Sequence, residues 1–342
     1  MKDKKKTVFD ILLFILLFAI TYIIIFKAQS PKLILYNFRN LNLAYVFLGF
    51  FVMFLYFVIE GYNIKVLLKS FDEKISLLKG IKYTMIGFYF SAITPASSGG
   101  QPMEIYYMSK DGIKVSHATV SLLIHLCGYQ ISVIYLGIMC ALLNHDIFTP
   151  ELRILFILGT FLNALSLTFI LIGLFSKNIS KKLIKLAEKL IRVFNHKTPD
   201  KTIEKMNEEY KIYQECSKHI TRHKKDFFKA LLRAFVQIIG VNSIIFFTYK
   251  SFGLSSYDYF ALLQIQAILN CSVTSIPLPG SVGISETVFL MIYTSIFGGL
   301  LTNALLINRT ISFYAYVLIC MVVVLVNKVI ISKRENKKTI NN

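Results

Sequence analysis

Uninterrupted apolar runs dominate the chain. Residues 8–26, 43–64, 116–143, 154–175, 228–249 and 304–331 are each long enough, at 1.5 Å per residue, to cross a hydrocarbon core of roughly 30 Å as an α-helix. Two further runs are interrupted. Residues 83–94 give only 12 apolar positions before Pro95 and a glycine-serine cluster, about 18 Å of helix and little more than half a bilayer. Residues 259–276 end at Pro277-Leu278-Pro279-Gly280, and an apolar run resumes at 287–301. The pattern predicts an all-α, polytopic membrane protein of about eight hydrophobic segments, two of them broken.

Composition supports that class: 55% of residues are hydrophobic and mean hydropathy is +0.59, too apolar for a surface that faces water. No separate globular domain fits between the runs. The expected organisation is one transmembrane domain over 1–342, with related halves at about 43–143 and 228–331 and a basic loop at 176–227.

The net charge of +19 acquires meaning from its placement. Residues 2–6, 65–82, 110–114, 177–229 and 328–338 hold 31 of the 38 lysines and arginines, which predicts a multi-pass protein of the cell membrane with both termini and the long loop in the cytoplasm. Within that loop, residues 179–194 set Leu183, Leu186, Leu190 and Phe194 on one helical face, with Lys181, Lys182, Lys185, Lys189 and Arg192 around the rest. Such a segment suits either the anionic inner leaflet or a solvated helical linker. Nucleic acid is not an expected partner, because no aromatic-interleaved basic module or zinc knuckle accompanies the charge. The five cysteines are scattered and read as small core residues. His219 and His223 lie four apart without a third ligand near in sequence, so neither a metal nor another cofactor is expected. The N-terminal 26 residues have the basic start and apolar stretch of a signal peptide, with Ala28-Gln29-Ser30 as a candidate cleavage site. The length of the run and the spans that follow favour an uncleaved first span.

The two breaks match. Pro95 to Glu104 and Pro277 to Glu286 are both Pro-x8-Glu with glycines and serines between, and each interrupts an apolar segment at the corresponding place in its half. With Lys82 and Lys110 cytoplasmic, and Asp258 and Asn303 external, each broken element enters and leaves on the same side. The two hairpins are then oppositely oriented, an inverted repeat of the kind many secondary transporters use. Irregular backbone at membrane depth is tolerated only where protein or a watery cavity covers it. Exposed amides at the tips suit an anionic group such as a lipid phosphate. The plainer alternative is that the glycines only let helices pack closely.

Charged groups in hydrocarbon cost roughly 2.5–3.5 kcal/mol each and persist where they face a cavity or a partner. Glu60, Glu104, Arg233, Glu286 and Arg309 qualify. Arg309 could pair with Glu286 or clamp a phosphate, and Glu60 could balance a cationic headgroup or carry a proton. For each of them a structural ion pair or interfacial snorkelling is the competing role. His117 and His125, eight apart on one helix, read as buried hydrogen-bonded residues rather than relays. The candidate substrate-binding set is Glu60, Pro95, Ser97, Ser98, Gly99, Gly100, Gln101, Glu104, Pro279, Gly280, Gly283, Glu286 and Arg309, with no catalytic residue among them.

The segments Thr94-Pro95-Ala96-Ser97-Ser98-Gly99-Gly100 and Pro279-Gly280-Ser281-Val282-Gly283-Ile284-Ser285-Glu286, with Arg309 and Tyr314 in the last span, resemble the flippase-like family. That family is also called the lysylphosphatidylglycerol synthase transmembrane region, the membrane part of the bacterial multiple peptide resistance factor. The second segment is similar to its P-G-G-x-G-x-x-E. Where the family often has G-E-x-x-R after the first break, this chain has Gly100-Gln101-Pro102-Met103-Glu104, so an acid becomes an amide and a base becomes an acid.

The resemblance implies translocation of a phospholipid, in the best-known case an aminoacylated phosphatidylglycerol, with consequences for surface charge and resistance to cationic antibiotic peptides. It does not supply the soluble synthase domain that makes such lipids. With eleven residues after Ile331, a phosphatidylglycerol lysyltransferase activity is not expected of this chain itself. The alternatives are a lipid-modifying intramembrane enzyme and a small-solute or ion transporter on the same architecture. Expected partners are membrane phospholipids, with a homo-oligomer or a separate lipid synthase as further candidates. Without an ATP-binding P-loop, any drive must come from a gradient, the membrane potential or the lipid's own imbalance.

Overall fold

The computed structural model of the chain describes residues 41–94, 97–176, 200–222 and 224–340. The first apolar run, Pro95, His223 and the basic segment 179–194 lie outside those residues, and so does the His219 side chain. Among the described residues the fold is all-α.

The helices begin where polar side chains can take up free amides. Helix α1, Leu43–Lys69, starts at Asn42, whose Oδ1 accepts the Ala44 N–H at 3.1 Å. Helix α2, Leu77–Ile93, starts at Ser76, which accepts from Lys79 at 3.3 Å. It begins six residues before the apolar run predicts, because this cap and the partners of Lys82 carry the polar first turns. Helix α3, Gly100–Lys110, follows the first break, and α4, Val115–Leu143, follows a turn at Gly112 with φ of 93°. Helix α5, Pro150–Phe175, combines a Thr149 cap with proline in the first turn. The polar helix α6, Asp200–Arg222, leads into α7, Lys224–Ser251.

Helix α8, Tyr259–Val273, capped by Asp258, unwinds three residues before its apolar run ends. Helix α9 spans Ile284–Phe297. The predicted last span is helical throughout: α10, Leu301–Arg309, passes through a π-helical turn, Thr310–Tyr314, into α11, Ala315–Ile340. Among the described residues, five stretches are long and apolar enough to cross a bilayer, namely α1, α4, α5, α7 and Pro279–Arg334.

Large apolar side chains point outward, among them Phe47, Leu142, Ile154 and Phe161, while Asn63, Asn163, Thr248, Ser272 and Asn303 are buried. A water-soluble fold has the opposite distribution, and this one fits lipid outside and hydrogen bonds inside.

Helices α1 and α7 run antiparallel: the Asn42 N–H donates to the Ser251 carbonyl at 2.8 Å, and further along the pair Gln237 meets Glu60. Helices α1 and α2 touch backbone to backbone where Gly61 faces Gly80 and Ile81. At the end of the molecule that holds the start of α2, Asp111 after α3 accepts from Lys82 and from Tyr83 at 2.8 Å, and Arg334 of α11 reaches it at 3.1 Å. Near there α6 closes two helix ends. Glu209 accepts the Ser116 N–H at 2.9 Å, while Tyr213 and Ser217 donate to the Gly173 and Leu174 carbonyls of α5. Burial, then the neighbouring Tyr210, pushes the Tyr213 phenol up to about 12, so it stays a donor. At the opposite end, the start of α8 and the end of α9 meet on Tyr249: its hydroxyl accepts the Tyr257 N–H at 3.2 Å and its ring lies 5.6 Å from Phe297.

Burial raises the Asp111 carboxyl, but hydrogen bonds from Lys82 and Tyr83 outweigh it and hold the group below its ordinary value of 3.8. The stabilisation from this clasp is complete above that value and is lost as pH falls through the lower folded one. Thermal melts between about pH 3 and 6 are expected to show Asp111→Asn less stable than wild type by about 1 kcal/mol at most, because Arg334 and Lys82 are solvent-screened. The difference should close as the pH drops.

Candidate functional site

Each break is held by its neighbours. In the first, Thr94 Oγ accepts the Gly99 N–H at 2.9 Å and donates to the Phe90 carbonyl at 2.6 Å. In the second, Gly280, Ser281 and Gly283 take φ of 56°, 51° and 93°, turning the chain sharply before α9. Asn163 of α5 closes the unwound end of α8: its amide donates to the Gly159 and Cys271 carbonyls at 2.7 and 3.0 Å, and its oxygen accepts from Ser275 at 2.8 Å. These side chains take up part of the irregular backbone's hydrogen-bonding capacity, while Ser98, Pro277 and Leu278 stay exposed.

Between the two tips lies a cavity of about 570 Å³. Ser97, Ser98 and Gln101 of the first break and Gly280 and Ser281 of the second line it, with Glu60, Glu104 and Arg309. Of the remaining candidates, Gly99, Gly100, Pro279, Gly283 and Glu286 do not line it. Gly100 serves packing, since a Cβ there would overlap Ser91 Oγ. Gly283 serves the turn that opens α9. A Cβ at Gly99 or Gly100 would press on Thr94 or Ser91, whereas Gly280 and Gly283 carry the positive φ of a turn.

Glu286, fully buried, sits behind the wall. Its Oε2 accepts the Gly283 N–H at 2.6 Å and the Ser285 hydroxyl at 3.0 Å, while Oε1 lies 2.7 Å from Arg309 Nε. A carboxylate in the first helical turn also answers the positive end of the helix dipole. Arg309 further donates to the Gly280 carbonyl at 3.3 Å and stacks over Phe313 with its guanidinium carbon 4.6 Å from the ring centre. The arginine therefore ties the second tip to the last helix while facing the cavity. Its charge is matched by Glu286, so what it offers a bound anion is N–H donors rather than net charge.

The other wall is acidic. Glu60 accepts from Gln237 at 2.9 Å and lies 3.5 Å from His125 Nε2. His125 Nδ1 meets Asn63 at 3.0 Å, and Asn63 in turn accepts from Arg233 Nε at 3.0 Å. His125 and His117 are both buried and hydrogen-bonded, His117 to Glu73 at 2.9 Å. Glu104 is 3% exposed and occupies the notch left by Gly87, where any side chain would overlap its carboxylate. Its Oε2 has no hydrogen-bond partner among the described residues.

Sequence reasoning missed the neutral lining: Gln130, Gln266, Asn270 and Asn308 also face the cavity. Their signal was available, since amides within apolar runs are costly unless they meet a partner or water. The π-helical turn that follows Asn308 and Arg309 had no such signal.

Apolar outer faces, a polar interior and a cavity lined in part by both interrupted helix pairs define a polytopic α-helical membrane protein. The chain belongs to the family described as the lysylphosphatidylglycerol synthase TM region, whose model matches residues 8–320. It is also similar to a UPF0104 membrane protein of Archaeoglobus fulgidus, 24% identical over 284 residues that cover 80% of this chain and 83% of the archaeal one. The family expected from the residues of the two breaks is the family found.

Proposed function

We propose that this chain translocates a phospholipid between the leaflets of the cell membrane, the cavity taking the headgroup while the acyl chains stay in lipid. The observation that carries this reading is the rim of the cavity. Phe169 of α5 lines it and is 63% exposed, so a polar interior is continuous with an apolar outer surface. A site for a small polar solute has no use for such a rim, whereas an amphipathic substrate needs both parts.

In this reading the two helix pairs, α2 with α3 and α8 with α9, are re-entrant hairpins of an inverted repeat. Rocking of one half against the other exposes the cavity to each leaflet in turn. The phosphate is held by donors of Arg309 and Gln101 with the hydroxyls of Ser98 and Ser281, and Glu60 and Glu104 balance any cationic headgroup. The basic ends of the helices, the loop 176–227 and both termini face the cytoplasm.

Purified protein in vesicles carrying a trace of fluorescent phosphatidylglycerol tests the proposal. Quenching by an impermeant reductant is expected to reach the inner-leaflet probe several-fold faster than in protein-free vesicles. Equal rates would overturn it, and uptake of a water-soluble solute without lipid movement would assign the cavity to a solute instead.

A further inference from the structure

We propose that Glu60 and Glu104 form a proton-exchange site, taking up one proton when the cavity holds no cation and releasing it when a cationic group enters. Two carboxylates from different elements, α1 and α3, face one cavity and interact electrostatically. Their environments differ. Glu60 is held by the neutral amide of Gln237 and by His125, while Glu104 is 3% exposed with Oε2 unpartnered among the described residues. An ionised carboxylate cannot stay in that position without a donor or a counter-charge, and two such groups beside one another share protons as a pair.

Among the described residues, Tyr56 on α1 and His125 and Tyr129 on α4 are the other ionisable side chains facing the pair. Helix α2 presents Thr84 and Gly87, and α7 presents Gln237. Arg233 is turned to Asn63, and Arg309 is paired with Glu286, so neither arginine serves as counter-ion to Glu104. The step moves a single proton between cavity water and a carboxylate oxygen, with no other bond made or broken.

Position gives the exchange a consequence. Glu60 stands on a long helix anchored along α7, whereas Glu104 stands on the short α3 at the tip of a helix pair. Any movement of that tip changes the separation of the two acids and therefore their affinity for a shared proton. Coupling of the proton to lipid movement rests on the translocation reading; the proton site itself does not.

Infrared difference spectra of the protein in nanodiscs test the site directly. A protonated-carboxyl C=O band is expected at neutral pH in wild type. It should shift in heavy water, disappear on alkaline titration and be absent in Glu104→Gln. In Glu60→Gln its midpoint should move by roughly one pH unit or more. Absence of the band in wild type, or a band unchanged in both variants, would overturn the site.

For coupling, wild-type vesicles with fluorescent aminoacyl-phosphatidylglycerol, whose headgroup carries a cationic amine, are given an imposed pH gradient, with voltage clamped by potassium and valinomycin. Reversing the gradient is expected to change the transfer rate several-fold. Transfer indifferent to the gradient would overturn the coupling and leave translocation standing. A carboxyl band as expected with no transfer at all would keep the proton site and overturn the lipid reading.

Discussion

Arg309→Ala is expected to abolish lipid transfer and to destabilise the fold by about 3–5 kcal/mol, because it leaves a buried carboxylate uncompensated. Glu286 keeps the Gly283 amide and the Ser285 hydroxyl but loses the charge 2.7 Å from Oε1. The link from the last helix to the Gly280 carbonyl goes at the same time, freeing the second tip. A double-mutant cycle separates the two contributions. In Arg309→Ala with Glu286→Gln, the neutral amide can still accept from Gly283, so a coupling of about 1–3 kcal/mol should be recovered. Transfer should stay lost, since the donors facing the cavity remain missing. Thermal melts in detergent and the vesicle assay together read both. A double mutant that regains transfer with its stability would reduce Arg309 to a structural strut.

A comparably large effect is expected where no chemistry is involved. A Cβ on Gly61 would lie 2.5 Å from the Ile81 amide nitrogen, and one on Gly80 would overlap the Gly61 carbonyl. Both clashes are with backbone, which cannot swing aside. Gly61→Ala and Gly80→Ala should therefore each cost about 1–3 kcal/mol by pushing α1 and α2 apart, and Gly61→Leu should prevent assembly. Gly240→Ala is the control. Its Cβ would meet Val52 at an ordinary 3.8 Å, and the change should be neutral or stabilising by up to about 1 kcal/mol. Melts of the three alanine variants, measured side by side, check the ordering.

The legible part of this molecule was whatever the bilayer constrains. Span positions follow from apolar run length, and the breaks follow from proline and glycine where hydrocarbon forbids loose backbone. The acids and arginines of the site stood out because charge in an apolar run needs a reason. That Arg309 pairs with Glu286 follows only from their packing and not from the sequence. Glu60 and Glu104 lie 44 positions apart and come to face one cavity through a crossing that depends on Gly61, Gly80 and Gly87, glycines inside helices that carry no turn signal. The early start of α2 was hidden because Lys79 and Lys82 look like loop residues until Asp111 and the Ser76 cap are placed beside them. The π-helical turn at Thr310–Tyr314 leaves no trace in hydropathy, since its residues are as apolar as those of the helix it interrupts.

Water contact at the two tips is the central claim, and thiol labelling measures it most directly. The five native cysteines are all buried, which keeps the background low. Ser98→Cys and Ser281→Cys, each at the cavity wall, are expected to react with a small, charged methanethiosulfonate in intact proteoliposomes. Ser272→Cys, in the packed interior, should not. Labelling of neither tip, at a rate no greater than that of Ser272→Cys, would contradict a wet cavity between the breaks.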